Sequence, residues 1–246
     1  MILRMKKIFS IVVALFALSA IAGEAEIRQV LKVKFPNVIV VGVQPAPLAG
    51  LYEVRLQADD GPQILYTDAL ANFFVDGSII ETKTGRNLTE ERMQKLSAIE
   101  FSALPLELAV KVQRGNGKRV LAMFTDPYCP YCRKFERTLM QIDDITVYVF
   151  MFPVIRPDNA DHSRAVWCAP DRVKAWLELA ANDAPKLPAN GANCPNPVDK
   201  VLELGRSLRV NSTPTLYFAS GERAAGGMQA ADLRAKLDLV AKQAKK

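Results

Sequence analysis

Histidine is almost missing from this chain of 246 residues, with His162 its single example. Cysteine is also scarce at four, and there are two tryptophans. Glycine (13) and proline (15) are too few for a collagen-like chain, and no internal repeat or low-complexity segment is present. Hydrophobic residues at 50% and charged residues at 24% exclude disorder as the dominant state. A strong excess of one charge is lacking too. The formal net charge is +6, but Arg4, Lys6 and Lys7 lie together at the N-terminus. Beyond them 29 Lys+Arg face 26 Asp+Glu, a net of +3, which gives nucleic-acid binding little support. A long apolar run occurs only once, at Ile8–Ile21.

That run follows a short basic stretch and ends in Ala20-Ile21-Ala22, a small-x-small pattern. Basic, apolar, small is the order of a secretory signal peptide, and the run is shorter than the ~20 residues a bilayer span requires. Residues 1–22 are therefore expected to be a signal peptide cleaved after Ala22, leaving a chain that is exported and not inserted in a membrane. Export changes the meaning of the cysteines, because disulfides persist outside the cytoplasm. Cys129 and Cys132 stand three apart, and Cys168 and Cys194 are separated by 26 positions, so 129–132 and 168–194 is the natural pairing of the three possible.

The pattern along the chain changes twice. A short helix is expected from Glu24 to Phe35. Val38–Val41, Leu51–Leu56, Gln63–Tyr66 and Asn72–Val75 then read as short strands bounded by turn formers such as Asp59-Asp60-Gly61-Pro62. A unit of this size buries little core and needs a partner surface. Asn87-Leu88-Thr89-Glu90 resembles a capping box, predicting a helix that runs on to about Leu104, before Pro105. From Lys118 the pattern is α/β: strands at Arg119–Thr125, Ile145–Phe152 and Thr215–Ala219, an edge strand at Glu222–Gly227, and helices at Cys129–Ile142, Asn159–Ala181, Val198–Leu208 and Ala230–Lys246.

Phe124-Thr125-Asp126-Pro127-Tyr128-Cys129-Pro130-Tyr131-Cys132 places a Cys-x-x-Cys between a strand and a helix. A sulfur at a helix start faces unpaired N–H groups and the positive end of the dipole, which stabilise a thiolate. Cys129 is expected to be the exposed attacker and Cys132 the buried resolver one turn on. Pro130 suits the first helical position, where a missing N–H costs nothing. Zinc is the competing use of such a motif, but a tetrahedral site needs two more ligands, and one histidine with two distant cysteines supplies them poorly. Tyr128 and Tyr131 are candidates to line a binding surface, and His162 reads as a surface residue.

Asn211-Ser212-Thr213-Pro214-Thr215 precedes an apolar strand downstream of the Cys motif. That combination resembles the thioredoxin superfamily, which implies a cis Pro214 packed beside the active-site sulfurs. More specifically, Gln44-Pro45-Ala46-Pro47-Leu48-Ala49-Gly50-Leu51-Tyr52, Phe124-Thr125-Asp126 and Ala165-Val166-Trp167-Cys168-Ala169 resemble the DsbC/DsbG family of bacterial periplasmic protein disulfide isomerases. The resemblance implies an α/β (α+β overall) chain: an N-terminal, mainly β dimerisation domain (23–85), a linker helix and hinge (86–113), and a thioredoxin-like catalytic domain with a helical insertion (114–246). It implies a V-shaped homodimer with two catalytic domains facing an apolar cleft. The electron donor would be a membrane-embedded thiol reductase, and the clients misfolded exported proteins with wrong disulfides. It implies no metal and no cofactor beyond the Cys129–Cys132 pair, with Pro130, Tyr131, Thr213 and Pro214 in the active-site loops.

The resemblance is mixed in two respects. Cys129-Pro130-Tyr131-Cys132 carries the DsbG-type dipeptide, whereas Cys168 and Cys194 resemble the structural disulfide of the DsbC branch. Met123 stands where thioredoxin has a buried aspartate. The expected activity is thiol–disulfide isomerisation in the periplasm. The alternatives are a reductase that protects sulfenylated single cysteines and a chaperone-like dimer whose thiols are incidental.

Overall fold

The computed structural model describes residues 23–58, 61–156, 159–181 and 194–243. The expected signal peptide, its cleavage site and most of the Pro/Asn/Gly-rich loop before Cys194 lie outside the described residues. The chain forms two compact units that meet between Ser97 and Ala98. Among the described residues, no helix is long and apolar enough to cross a membrane.

The first unit begins with a helix over residues 23–34 (α1). Strands β1 (Ile39–Pro45), β2 (Tyr52–Ala58), β3 (Gly61–Thr67) and β4 (Phe74–Val75) form an antiparallel sheet in that order. Ile27 and Leu31 lie one helical turn apart and pack with Val43, Val54 and Leu56 into a small core. Ile39, Val41, Phe73 and Val75 remain exposed. A two-stranded ladder, β5 (Ile80–Glu81) with β6 (Arg86–Asn87), leads into α2 (Leu88–Leu96). Asn87 caps α2 by accepting from the Glu90 N–H at 3.0 Å. The helix is shorter than the expected run to Leu104. Ser97 caps it, and the chain continues through a 3-10 turn at Phe101–Ala103.

The second unit is built on a five-stranded sheet of order β11-β10-β8-β9-β7. Its strands are β7 (Val110–Arg114), β8 (Arg119–Thr125), β9 (Ile145–Met151), β10 (Thr215–Phe218) and β11 (Arg223–Ala225). Strand β8 runs parallel to β9, and the other pairings are antiparallel. The edge strand β7 had no counterpart in the sequence pattern and straddles the end of the span read as linker and hinge (86–113). Alternation along the strands loads both faces of the sheet. Leu121 and Met123 join one core with Val147, Val149 and Met151, while Ala122 and Phe124 join another with Phe150 and Phe152. The first core is covered by α3 (Pro130–Leu139), α5 (Arg172–Ala181) and α7 (Ala230–Gln243), through Phe135, Leu139, Trp176, Leu179, Leu233 and Leu237. The second is covered by α6 (Val198–Ser207) through Val201, with Leu104 from the preceding segment. The single helix expected over Asn159–Ala181 is two: α4 (Asn159–Cys168) and α5, broken at Ala169-Pro170-Asp171. Pro170 lacks the N–H that a continuous helix would need.

Candidate active site

Thr125 ends β8 in the middle of the sheet, and Asp126 turns the chain toward α3. Asp126 is buried, and its carboxylate accepts three backbone N–H groups: Tyr128 at 2.8 Å, Val154 at 2.7 Å and Ile155 at 2.9 Å. Its carbonyl accepts the Cys129 N–H at 3.1 Å. One residue thus fastens the loop before the Cys motif to the loop after β9. Cys129 is the N-cap of α3, with extended backbone (φ −71°, ψ 118°), and Pro130 follows inside the first turn. The first turn of a helix leaves backbone N–H groups without a partner inside the helix, and the Cys129 sulfur stands at that end of α3.

Strand β10 brings the second motif to the same place. Thr215 pairs with Phe124, so the Thr213–Pro214 turn just ahead of β10 stands beside the end of β8. The Thr213–Pro214 peptide bond is cis. Cys129 Sγ donates to the Thr213 carbonyl at 3.3 Å. On the far side of the turn, the Gly226 N–H donates to the Pro214 carbonyl at 2.7 Å.

Cys129 and Cys132 are both free thiols. Cys132 is 2% exposed, and Cys129 is only 4% exposed, which corrects the expectation of an exposed sulfur at that position. The Thr213–Pro214 turn covers it. Burial pushes the Cys132 thiol up to about 12, and the nearby Cys129 sulfur adds to the rise. The Thr125 hydroxyl, the Asp126 backbone and the Thr213 side chain work against it. Tyr131, by contrast, is 74% exposed at the rim of a cavity of about 110 Å³, shared with Lys134, Phe135, Gly227 and Met228.

The structure also brings in residues that sequence reasoning gave no role or a different one. His162 is 8% exposed, not a surface residue, and its Nε2 lies 2.5 Å from the Tyr128 hydroxyl, with the two rings edge to face. Tyr128 immediately precedes the nucleophile candidate, so α4 holds the Cys loop from the side. Met123 is fully buried, as a residue in the thioredoxin aspartate position would be. A buried carboxylate comes instead from α3, at Glu136, which accepts from Trp176 Nε1 at 3.1 Å. The only signal for Glu136 was its place at i+4 from Cys132, on the inward face of the helix. Cys168, at the end of α4, is bonded to Cys194, with Cα atoms 5.7 Å apart. Among the described residues, no group of three His, Cys, Asp or Glu side chains is arranged to hold a metal ion.

Two family models match the chain: a disulfide bond isomerase protein N-terminal domain over residues 18–90, and a thioredoxin-like domain over residues 106–241. The probable thiol:disulfide interchange protein DsbC of Bordetella pertussis is 40% identical over 205 residues, 83% of this chain and 70% of its own length. The thiol:disulfide interchange protein DsbC of Escherichia coli K12 is 27% identical over 242 residues, 95% of this chain and 96% of its own. Among solved structures, a disulfide interchange protein from Neisseria gonorrhoeae superposes with a TM-score of 0.53 at 37% identity, covering 56% of this chain and 99% of that one.

Proposed function

Because the chain belongs to the DsbC family of thiol:disulfide interchange proteins, we propose that it rearranges incorrect disulfides in exported proteins, with Cys129 as the attacking sulfur and Cys132 as the resolving one. The protein is a thiol–disulfide oxidoreductase of the isomerase type. The observation that carries the residue assignment is the position of Cys129 at the N-terminus of α3, its sulfur against the turn that holds the cis Thr213–Pro214 bond.

In the proposed cycle the Cys129 thiolate attacks a client disulfide. A Cys129–client bond forms, and the client's other sulfur leaves as a thiolate and takes a proton from water. If a different client thiolate attacks the client sulfur of the mixed disulfide, a new client disulfide forms, Cys129 leaves as the thiolate and the client is isomerised; attack by the thiolate that first left only restores the starting bond. If Cys132 attacks Cys129 instead, the Cys129–Cys132 disulfide forms, the client leaves reduced, and two electrons must be returned to the enzyme. A membrane-embedded thiol reductase would return them, and the cysteine pair needs no other cofactor. The carbonyl of Thr213 and the cis Pro214 would lie along the client backbone, with Pro130 and Tyr131 at the rim. The match to the family's N-terminal domain, and exposed Ile39, Val41, Phe73 and Val75, support pairing of two copies through residues 23–85. Residues 1–22 would direct export to the periplasm.

Refolding of a scrambled multi-disulfide protein in a glutathione buffer tests this reading. Wild type should accelerate recovery over the buffer, and Cys129→Ser should not. Full activity in Cys129→Ser would remove the assignment, and a protective effect retained without either thiol would favour a chaperone.

A further inference from the structure

Buried hydroxyl groups in folded proteins nearly always have a hydrogen-bond partner, so one that lacks it calls for a reason. Thr125 is 0% exposed, and its Oγ1 has no partner among the described residues. It sits at the last position of β8, directly before the loop that carries the Cys motif. Its hydroxyl lies close enough to the Cys132 sulfur to influence it, as does the Asp126 backbone. A neutral thiol is a weak acceptor, whereas a thiolate accepts strongly, and a threonine hydroxyl can turn its hydrogen toward whichever acceptor is present.

We propose that Thr125 is a catalytic residue whose hydroxyl donates to the Cys132 sulfur whenever that sulfur carries negative charge. The proposal rests on Cys132 being the resolving cysteine. In resolution, Cys132 gives its proton to water and its thiolate attacks Cys129 Sγ. The Cys129–Cys132 bond forms, the Cys129–client bond breaks, and the client sulfur leaves with the electron pair. In the reverse step an outside thiolate attacks Cys129, and Cys132 is the leaving thiolate. Both directions place charge on a sulfur that is almost fully buried and so poorly solvated. Burial holds the Cys132 thiol high, and the Thr125 hydroxyl is the largest of the influences that draw it back down, ahead of the Asp126 backbone and the Thr213 side chain. The hydroxyl is unpaired while Cys132 is protonated and becomes paired when the charge appears, so its effect falls on the charged states of the reaction.

Losing one charge-assisted hydrogen bond should lower the thiolate population by about tenfold to a hundredfold. The more basic thiolate that remains is a better nucleophile and recovers about half of that loss on a logarithmic scale. Resolution should therefore slow by roughly threefold to tenfold in Thr125→Val, which keeps the shape and removes the donor.

The test uses the full-length reduced protein and a fluorescent peptide disulfide at pH 7. Attack is timed in a Cys132→Ser background with and without Thr125→Val, by capture of the peptide on Cys129. Resolution is timed with Cys132 present, by release of the second thiol. The expected results are attack within twofold of wild type, resolution slowed threefold to tenfold in Thr125→Val, and recovery in Thr125→Ser. The glutathione equilibrium at pH 7 should not move, because Cys132 is protonated in the dithiol there, and the thermal midpoint of Thr125→Val should not fall. Unchanged resolution in Thr125→Val, or equal slowing of both steps, would overturn the proposal and leave Thr125 a packing residue. Failure of Cys132→Ser to capture peptide on Cys129 would instead overturn the cysteine assignment, and the role of Thr125 with it.

Discussion

A carboxylate accepts hydrogen bonds and donates none, so a buried one must be surrounded by donors. Asp126 has three backbone N–H groups, one from the Cys loop and two from the loop after β9. Replacing it with alanine leaves all three without an acceptor, each in a bond stronger than a neutral one. Asp126→Ala should lose roughly 3 kcal/mol or more of stability in urea unfolding. Its activity should fall with it, because Cys129 is held by the same turn. A loss below about 1 kcal/mol would mean that water replaces the carboxylate and the clamp is unimportant. At His162 the expectation is milder. Tyr128→Phe removes one hydrogen bond and keeps the edge-to-face ring contact, so about 1 kcal/mol is at stake.

At the scale of elements, α3 carries both the Cys motif and an electrostatic burden. Its Glu136 is buried, and burial pushes the carboxyl up to about 7 from its ordinary 4.5, against the opposing hydrogen bond from Trp176 and the charge of Arg114. The folded protein therefore keeps a proton that the unfolded chain has already released. The contribution of this group to stability is greatest below pH 4.5 and is lost as pH rises to about 7, roughly 3 kcal/mol in all. Glu136→Gln keeps an acceptor for Trp176 and should flatten that part of the stability–pH curve, with a gain at pH 8. An unchanged curve would contradict the burial argument. At the end of α4, the Cys168–Cys194 bond spans a sequence separation of 26, and its removal by a double alanine substitution should cost roughly 3–4 kcal/mol. Reduction of small disulfides should persist in that variant, because the two sulfurs are bonded to each other and Cys129 and Cys132 are left as free thiols. Elements with strong patterns were legible in the sequence. Strand β8 was read to the residue because it is a continuous apolar run, buried from Leu121 to Thr125, between Arg119 and Asp126. Strand β7 was missed because it is a five-residue edge strand that alternates and follows Pro105 and a 3-10 turn. The Cys motif and Thr213–Pro214 were legible as local strings. Asp126, His162 and Glu136 depend on contacts 28 to 40 positions away, which a local pattern does not carry. The burial of Cys129 was hidden for the same reason, since the turn that covers it lies 84 positions downstream.

For the whole molecule, the compact unit that starts at Ala98 contains β7, the Cys motif and the Thr213–Pro214 turn. A fragment from Ala98 should be monomeric by light scattering and reduce small disulfides at close to the wild-type rate. It should lose most of its activity on a multiply scrambled client, because a dimer offers a second Cys129 at high effective concentration and a monomer does not. A monomeric fragment with full isomerase activity would separate dimerisation from the function. The central claim is narrower, that one sulfur of the four makes the bond to client. Cys132→Ser protein incubated with a scrambled disulfide protein, quenched in acid and mapped by mass spectrometry, tests it most directly. The account predicts a client peptide linked to Cys129, with Cys168 and Cys194 still bonded to each other. A client peptide linked to Cys168 or Cys194, or a Cys129 thiol left free while client disulfides rearrange, would contradict it.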